Sequence, residues 1–289
     1  MTSEAPPGSG PTVRRILLGS QLRRLREARQ ITRDQAGYTI RASDSKISRM
    51  ELGRVPFKER DVADLLTLYQ VTDEAERAPL LALASAASVP GWWHRYGDVL
   101  ADWFQPYLGL EEAASIVRTY EVQFVPGLLQ TAGYARSVIA AGDPGTPAAE
   151  IERRVAMRMA RQQVLTRPDP PRLWAVVDEA ALRRPIGGTG IMRAQLQALT
   201  EKIRLDNIIL QVMPFRFGGH AAESGAYTIL RFPEPDLPDV VYLEHLTSAV
   251  YLDKRSDVDR YLQAMERLCA QAEPRGRTPA ILAAIRDDI

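Results

Sequence analysis

The segment ITRDQAGYTIRASDSKISRMELGR, residues 31–54, predicts two short helices separated by a turn. Ser43 can cap the second helix, because its hydroxyl can accept a hydrogen bond from the free amides of the first turn. Ile47 and Met50 lie three residues apart and are expected to point into a core, and Gly53 suits the end of the helix. The other face is polar and basic. This pattern fits a DNA recognition helix, although a solvated surface helix would share it.

Apolar residues repeat at helical spacing in residues 18–29 before this segment and in residues 59–69 and 73–87 after it. The sequence therefore predicts an all-α head of five short helices within residues 13–88. Residues 1–12 are rich in proline, glycine and serine, and we expect them to form a disordered tail.

The same segment resembles the helix-turn-helix of Xre-type, phage-repressor-like regulators. Seven residues match the family pattern S-x-S-x-I-S-R-x-E-x-G of the third helix: Ser43, Ser45, Ile47, Ser48, Arg49, Glu51 and Gly53. Two positions depart from the family, since Gly37 stands where alanine is usual and Arg41 where glycine is usual. We expect Arg41 to widen or reshape the turn. The resemblance implies that the head binds double-stranded DNA.

The candidate base-reading residues are Asp44, Ser45, Lys46, Ser48 and Arg49. Arginine and lysine are the usual partners of guanine, whereas Asp44 would accept from a cytosine amino group or only cap the helix. The candidate phosphate contacts, which set the register without reading sequence, are Arg33, Ser43 and Arg54. In the related regulators an Arg–Glu pair ties the first helix to the third. Arg26 and Glu51 occupy those positions, and the alternative for them is two solvated charges.

Charge is unevenly distributed along the 289 residues, which carry a net charge of +1. Residues 13–70 contain 13 Lys/Arg and 7 Asp/Glu, so they carry +6 and the rest of the chain carries −5. This distribution predicts that nucleic-acid contacts are confined to the basic head, although a net charge of +6 also fits a solvated surface. The single cysteine, Cys269, excludes an internal disulfide. Since no run approaches the ~20 apolar residues of a membrane span, we expect a cytoplasmic protein without membrane contact.

Residues 89–106 concentrate three of the four tryptophans, Trp92, Trp93 and Trp103. A Pro–Gly pair near the start breaks the preceding helix, so we interpret this stretch as an aromatic connector. Its rings are expected either to bury the seam between two domains or to stack on a ligand or on nucleic-acid bases.

Residues 107–274 predict an α+β domain. Helical patterns occupy residues 110–121, 128–140, 148–165, 178–184, 189–202 and 256–272, and short strands occupy residues 173–177, 208–213, 226–232, 240–244 and 249–252. Because helices precede mostly consecutive strands, we expect a small, mostly antiparallel or mixed sheet. Residues 275–289 are expected to form a C-terminal tail or a short helix.

Five motifs in this region resemble the domain of unknown function that follows an Xre-type helix-turn-helix in many actinobacterial regulators. They are LLQTAGYAR, VVDEAALRRPIGG, QLQAL, NIILQVMPFRFGGH and VVYLEHLTSAVYLD. The resemblance implies a two-domain regulator. Because such genes often neighbour a gene for a small companion protein, it also implies that protein as a candidate partner.

The candidate residues for a ligand or partner pocket are, with the three tryptophans, Asp178, Glu179, His220 and Glu244. General acid–base chemistry or a divalent ion would need two carboxylates to converge. Negative charge at a helix N-terminus explains Asp178 and Glu179 equally well. The sequence shows no nucleophile elbow, phosphate-binding glycine loop or metal-ligand spacing. We therefore expect neither enzymatic activity nor a metal or cofactor.

The leading hypothesis is a sequence-specific transcriptional regulator that binds DNA as a homodimer. Its second domain would dimerise the protein and bind a regulatory partner, either the small companion protein or a small-molecule signal. The alternative is the DNA-binding, antitoxin-like half of a two-protein module. An enzyme fused to a DNA-binding head is the third hypothesis.

Overall fold

The computed structural model describes residues 11–53, 55–223, 225–234 and 237–289. They form two compact units. The first contains the described residues up to Arg95 together with Gln105–Ala113, and the second contains Tyr96–Phe104 and the described residues of Ala114–Ile289. No helix in the described ranges is long and apolar enough to cross a membrane.

The described part of the first unit is built from α-helices. They are α1 (Pro11–Ala28), α2 (Arg33–Thr39), α3 (Asp44–Glu51), α4 (Glu59–Leu68), α5 (Glu74–Ala87) and α6 (Gln105–Ala113), with a 3-10 turn at Trp92–Tyr96 after α5. Leu18 and Leu22 of α1 pack with Ile47 and Met50 of α3 and with Leu65 of α4 in one core. This core is formed by the apolar faces that the sequence predicted for these helices, and it fixes α3 against the rest of the head.

The first helix includes two residues that we predicted to belong to a disordered tail. Proline is favoured in the first turn of a helix because its fixed φ suits that position, so α1 includes Pro11. Thr12 is buried, and its hydroxyl accepts a hydrogen bond from Arg15 at 3.0 Å. The tail boundary at residue 12 is therefore wrong. The remainder of the predicted tail, residues 1–10, lies outside the described residues.

The second unit combines helices with one sheet. Its α-helices are α7 (Ala132–Gly142), α8 (Ala148–Arg161), α9 (Glu179–Arg183), α10 (Thr189–Lys202), α11 (Arg255–Gln271) and α12 (Thr278–Asp288). Its strands are β1 (Ile116–Glu121), β2 (Arg172–Asp178), β3 (Ile208–Met213), β4 (Tyr227–Arg231), β5 (Val240–Glu244) and β6 (Ala249–Leu252). Short 3-10 turns lie at Gly127–Leu129, Gln162–Leu165, Phe215–Phe217 and Arg275–Arg277.

The six strands form one mixed sheet in the order β3-β2-β1-β4-β5-β6. β1, β2 and β3 are parallel to one another, and the remaining neighbours are antiparallel. Tyr120, Val176 and Ile229 on one face pack with Met265 and Leu268 of α11. The predicted fold class, an all-α helix-turn-helix head followed by an α+β domain with a small mixed sheet, is confirmed.

The central strand β1 lies where the sequence predicted a helix over residues 110–121. The helix α6 ends at Ala113, and Ile116–Glu121 is a strand. The run IVRTYE contains the β-branched and aromatic residues that favour strands. It pairs with β2 on one side and with β4 on the other. A short apolar run fits both the helical and the strand period, and hydrogen bonding to both neighbours makes this one a strand.

The outer edge of β3 is bonded to the C-terminal part of the chain. The Thr278 hydroxyl, fully buried, donates to the Leu210 carbonyl at 2.6 Å. The Glu273 amide donates to the Val212 carbonyl at 2.8 Å. Residues 275–289, predicted as a tail or short helix, thus contain α12, which begins at the residue that closes this edge.

Candidate DNA-binding surface

The caps and the core together position α2 and α3. Thr32 caps α2 in a reciprocal capping box, and the Ser43 hydroxyl accepts from the Lys46 amide at 3.2 Å. Ile47 and Met50 are each 1% exposed. The apolar stripe of α3 is therefore fully inward, and its polar side chains are left on the surface.

Gly37 and Arg41 make the turn between α2 and α3 tight. Arg41 has φ +55°, in the left-handed region that glycine adopts without strain. The Ala42 amide donates to the Gly37 carbonyl at 2.8 Å, and a Cβ at Gly37 would lie 2.5 Å from the Ala42 carbonyl oxygen. The turn thus packs so closely on α2 that residue 37 has no room for a side chain, and Arg41 adopts a left-handed conformation that favours glycine.

A buried ion pair fixes α3 against α1. Arg26 Nε and Nη2 donate to the two carboxylate oxygens of Glu51 at 2.5 and 3.1 Å, and Arg26 Nη1 donates to the Ile31 carbonyl at 2.8 Å. The side chains of the pair are 10% and 6% exposed. The hydrogen bond to Glu51 raises the pKa of Arg26. Gly19 permits the close crossing, since a Cβ there would lie 2.5 Å from the Met50 carbonyl oxygen.

A second ion pair ties α3 to α4. Lys46 Nζ donates to Asp61 Oδ2 at 3.3 Å, and the Asp61 side chain is only 4% exposed. Arg60 lies 3.8 Å from the other carboxylate oxygen of Asp61. Lys46, which we predicted to read bases, is thus engaged in holding the helix. The sequence did not single out Asp61, because an acidic residue in the first turn of a helix needs no further explanation.

The exposed side of α3 carries the other predicted base readers. Arg33 Nε contacts Asp44 Oδ1 at 2.9 Å, and the two side chains are 46% and 42% exposed. Arg49 is exposed, and its Nε donates to the Ser45 carbonyl of the same helix at 3.3 Å. Ser45 is exposed and Ser48 is partly buried. Asp44, Ser45, Ser48 and Arg49 therefore share one accessible surface.

A cleft of about 440 Å³ lies beside this surface. The residues that line it are Arg23, Arg26, Glu27, Arg33, Ser48, Glu51 and Leu52. These three arginines and two glutamates give the described lining one excess positive charge. Because the other two arginines pair with the two glutamates, Arg33 carries that excess. Arg54, the remaining predicted phosphate contact, lies outside the described residues.

In the second unit, Asp178 and His220 meet around Tyr120 at the carboxyl ends of β1 and β2. His220 Nε2 lies 2.9 Å from Tyr120 Oη and 3.8 Å from Asp178 Oδ2. The Ala222 amide donates to His220 Nδ1 at 3.3 Å, which places the proton of a neutral imidazole on Nε2. Burial, reinforced by Asp178, raises the pKa of Tyr120. This cluster is named the Tyr120 cluster below.

The remaining predicted pocket residues lie elsewhere. Glu179 accepts from a backbone amide of the loop after β3 at 3.0 Å, and Glu244 accepts from a tyrosine of its own strand at 2.9 Å. Trp92 and Trp93 lie in the first unit, where their rings pack edge to face at 5.9 Å, and Trp103 lies in the second. Within the second unit, Asp178 and His220 meet at Tyr120, whereas Glu179 and Glu244 have other hydrogen-bond partners. Within the described ranges, no group of three His, Cys, Asp or Glu side chains is placed to hold a metal ion.

A second titratable group, Glu121, lies at the end of β1. The charged residues that act on it are Glu244 of β5 and Arg158 and Arg161 of α8. Burial, followed by repulsion from Glu244, raises the pKa of Glu121 to about 7. Burial also lowers the pKa of Arg158 to about 10. Sequence reasoning missed Tyr120 and Glu121 because it placed both on a helix. Recognising Ile116–Glu121 as a strand would have placed their side chains on opposite faces of the sheet.

Comparison with known families identifies both units. Residues 17–80 match a helix-turn-helix domain, and residues 104–284 match a domain of unknown function, DUF5753. The second match covers more than half of the chain. No curated protein and no solved structure matches the chain. The helix-turn-helix match identifies the head as a DNA-binding domain of the kind found in regulators.

Proposed function

The chain belongs to the family defined by the domain of unknown function DUF5753, and from this premise we propose that it is a sequence-specific transcriptional regulator of the Xre type. Its head reads DNA and its second unit receives the controlling signal. The observation that carries the proposal is the set of contacts that hold α3 in the head. One side is held by core residues and two ion pairs, and the other presents polar and basic side chains to solvent.

In this proposal α3 lies in the major groove and Arg49 is its principal reader. Arginine binds guanine O6 and N7 through two hydrogen bonds, and Arg49 is exposed. Ser45 and Ser48 read neighbouring bases. Lys46 positions the helix through Asp61, which revises its predicted role. The predicted phosphate contacts, Ser43, Arg33 and Arg54, set the register of the helix on the DNA.

The regulator acts as a homodimer in this proposal. One recognition helix reads only a few bases, so two heads on a two-fold operator multiply the specificity, with half-sites about one helical turn apart. The second unit supplies the dimer contact.

Selection from a random duplex library, followed by footprinting, tests DNA reading. We expect protection of two half-sites separated by about one helical turn. Arg49→Ala should weaken the selected duplex by about 1–3 kcal/mol and relax one position of each half-site. The matched control is Arg24→Ala, since Arg24 is exposed on α1 and donates to Gln21 of the same helix. Absence of any enriched sequence with the wild-type chain would refute the proposal.

The Tyr120 cluster is our proposed site for the regulatory partner, the small companion protein or a small molecule. Its support is its place at the carboxyl ends of parallel strands, where α/β sheets commonly bind ligands. Asp178 and His220 each retain partial exposure there, 19% and 17%.

Co-purification from the native host, followed by mass spectrometry, tests this site. We expect His220→Ala to lower recovery of a companion while DNA selection is unchanged. His245→Ala, on an exposed histidine of the β5–β6 connection, is the control. Equal recovery with both variants would place the partner site elsewhere.

A further inference from the structure

The Arg33–Asp44 pair joins two residues with different tasks in the proposed complex. Arg33 lines the cleft beside α3 and carries its excess positive charge. Asp44 lies in the first turn of α3, on the surface that we propose to read bases. Their side chains meet at 2.9 Å, and both are more than 40% exposed. An ion pair this exposed is weak and opens readily.

While the pair is closed, Asp44 neutralises the charge that Arg33 would offer to a DNA phosphate. The other charges of the cleft do not replace it, because its two glutamates pair with its other two arginines. The described lining residues and Asp44 together then carry no net charge. A phosphate entering it gains little attraction until Asp44 moves away.

Resting on the proposed function, we propose that Asp44 is a specificity-determining residue that gates the phosphate contact of Arg33. On a duplex that offers a cytosine amino group opposite Asp44, the carboxylate accepts from the base and releases Arg33 to a phosphate. On other duplexes Asp44 has no base partner and competes with the phosphate for Arg33, so the phosphate contact contributes little. Base reading and backbone affinity are thereby coupled.

The gate differs from a permanent phosphate contact in its effect on unrelated DNA. A permanent contact contributes equally on every sequence, so Arg33→Ala would weaken all duplexes alike. The gated contact predicts that Arg33→Ala weakens the selected duplex about tenfold and leaves an alternating A·T duplex within about twofold.

The decisive variant is Asp44→Asn in the full chain, which opens the gate without removing the Ser43 cap. We expect it to tighten binding to the alternating A·T duplex about three- to tenfold and to steepen the dependence of log K on log salt by about 0.9 for each released arginine. The selected duplex should gain no affinity, so specificity should fall.

The matched control is Asp34→Asn. Asp34 is an exposed acid in the first turn of α2 and has no ion pair among the described residues. The Asp34→Asn substitution removes the same charge from the head as Asp44→Asn, so a general electrostatic effect on DNA affinity would appear equally in both variants. Equal tightening by the two would overturn the gate, as would persistence of the Asp44→Asn gain when Arg33 is also alanine. If the wild-type chain selects no sequence, the proposed function fails instead, which separates the two outcomes.

Discussion

Glu121 makes the second unit less stable at neutral pH than at mildly acidic pH. Its pKa is raised from 4.5 to about 7, chiefly by burial and then by Glu244. Between these values the folded chain keeps a proton that the unfolded chain has lost, so stability falls as the pH rises. Above about pH 8 both states are ionised and the full penalty is present. Glu121→Gln removes this titration.

The size of the effect follows from the pKa. A rise from 4.5 to about 7 corresponds to at most about 3–4 kcal/mol, at ~1.4 kcal/mol for each pKa unit. Glu121 keeps partial contact with solvent, which reduces the penalty. We therefore expect Glu121→Gln to stabilise the second unit by about 1–2 kcal/mol at pH 8 and by almost nothing near pH 4.5.

Urea unfolding of the full chain at about pH 5, 6, 7 and 8, fitted with two transitions, measures this difference. The control is Glu266→Gln, on an exposed carboxylate of α11. It should show the same small difference from the wild type at every pH. A stability gain for Glu121→Gln that does not change with pH would refute the reasoning, because a titration cannot produce it.

Four smaller perturbations test the head and the sheet edge. Glu51→Ala leaves the buried Arg26 with only a 3.5 Å contact to the exposed Glu27 as its ion pair and should cost about 3–5 kcal/mol in urea unfolding, whereas Glu27→Ala, whose pair with Arg23 is exposed, should cost under about 1 kcal/mol. Gly37→Ala places a Cβ 2.5 Å from a backbone oxygen of the turn, so melting temperature and DNA affinity should fall together; an unchanged melting curve would contradict the tight turn. Arg41→Val should cost about 1–2 kcal/mol in the same unfolding assay, because a β-branched residue resists a positive φ. Thr278→Val removes a buried 2.6 Å hydrogen bond and should lower the free energy of unfolding by about 1–3 kcal/mol in calorimetry. The helical circular dichroism of the variant should equal that of the wild type.

The head was largely predictable because its information is local. The caps Thr32 and Ser43 and the inward pair Ile47 and Met50 lie within one short segment, and each acts through neighbours at helical spacing. The pairing of Lys46 with Asp61 was not predicted, because Asp61 lies 15 residues away on another helix. A lysine on the polar face of a recognition helix looks the same whether it meets a base or a buried carboxylate.

The sheet was less predictable because its central strand depends on distant partners. Ile116–Glu121 carries both a helical and a strand pattern, and it is a strand because β2 and β4 supply its hydrogen bonds. The Tyr120 cluster depends on the same fact. His220 lies 100 residues from Tyr120 in the sequence. Their contact depends on the topology of the sheet and cannot be predicted from local residue spacing.

Under the proposed function, the contacts that hold α3 also limit how the second unit could control the head. Glu51 holds the last turn of α3 to α1, Lys46 holds its first half to α4, and Ile47 and Met50 fix the stripe between them. Tilting α3 would separate Glu51 from Arg26, and breaking this buried pair costs about 3–5 kcal/mol, which exceeds the typical 1–3 kcal/mol of an allosteric coupling. A signal is therefore too weak to act by reorienting this helix. In the proposed homodimer, control would therefore act on the pairing of the two heads, and sequence discrimination would reside in surface side chains that move without the helix.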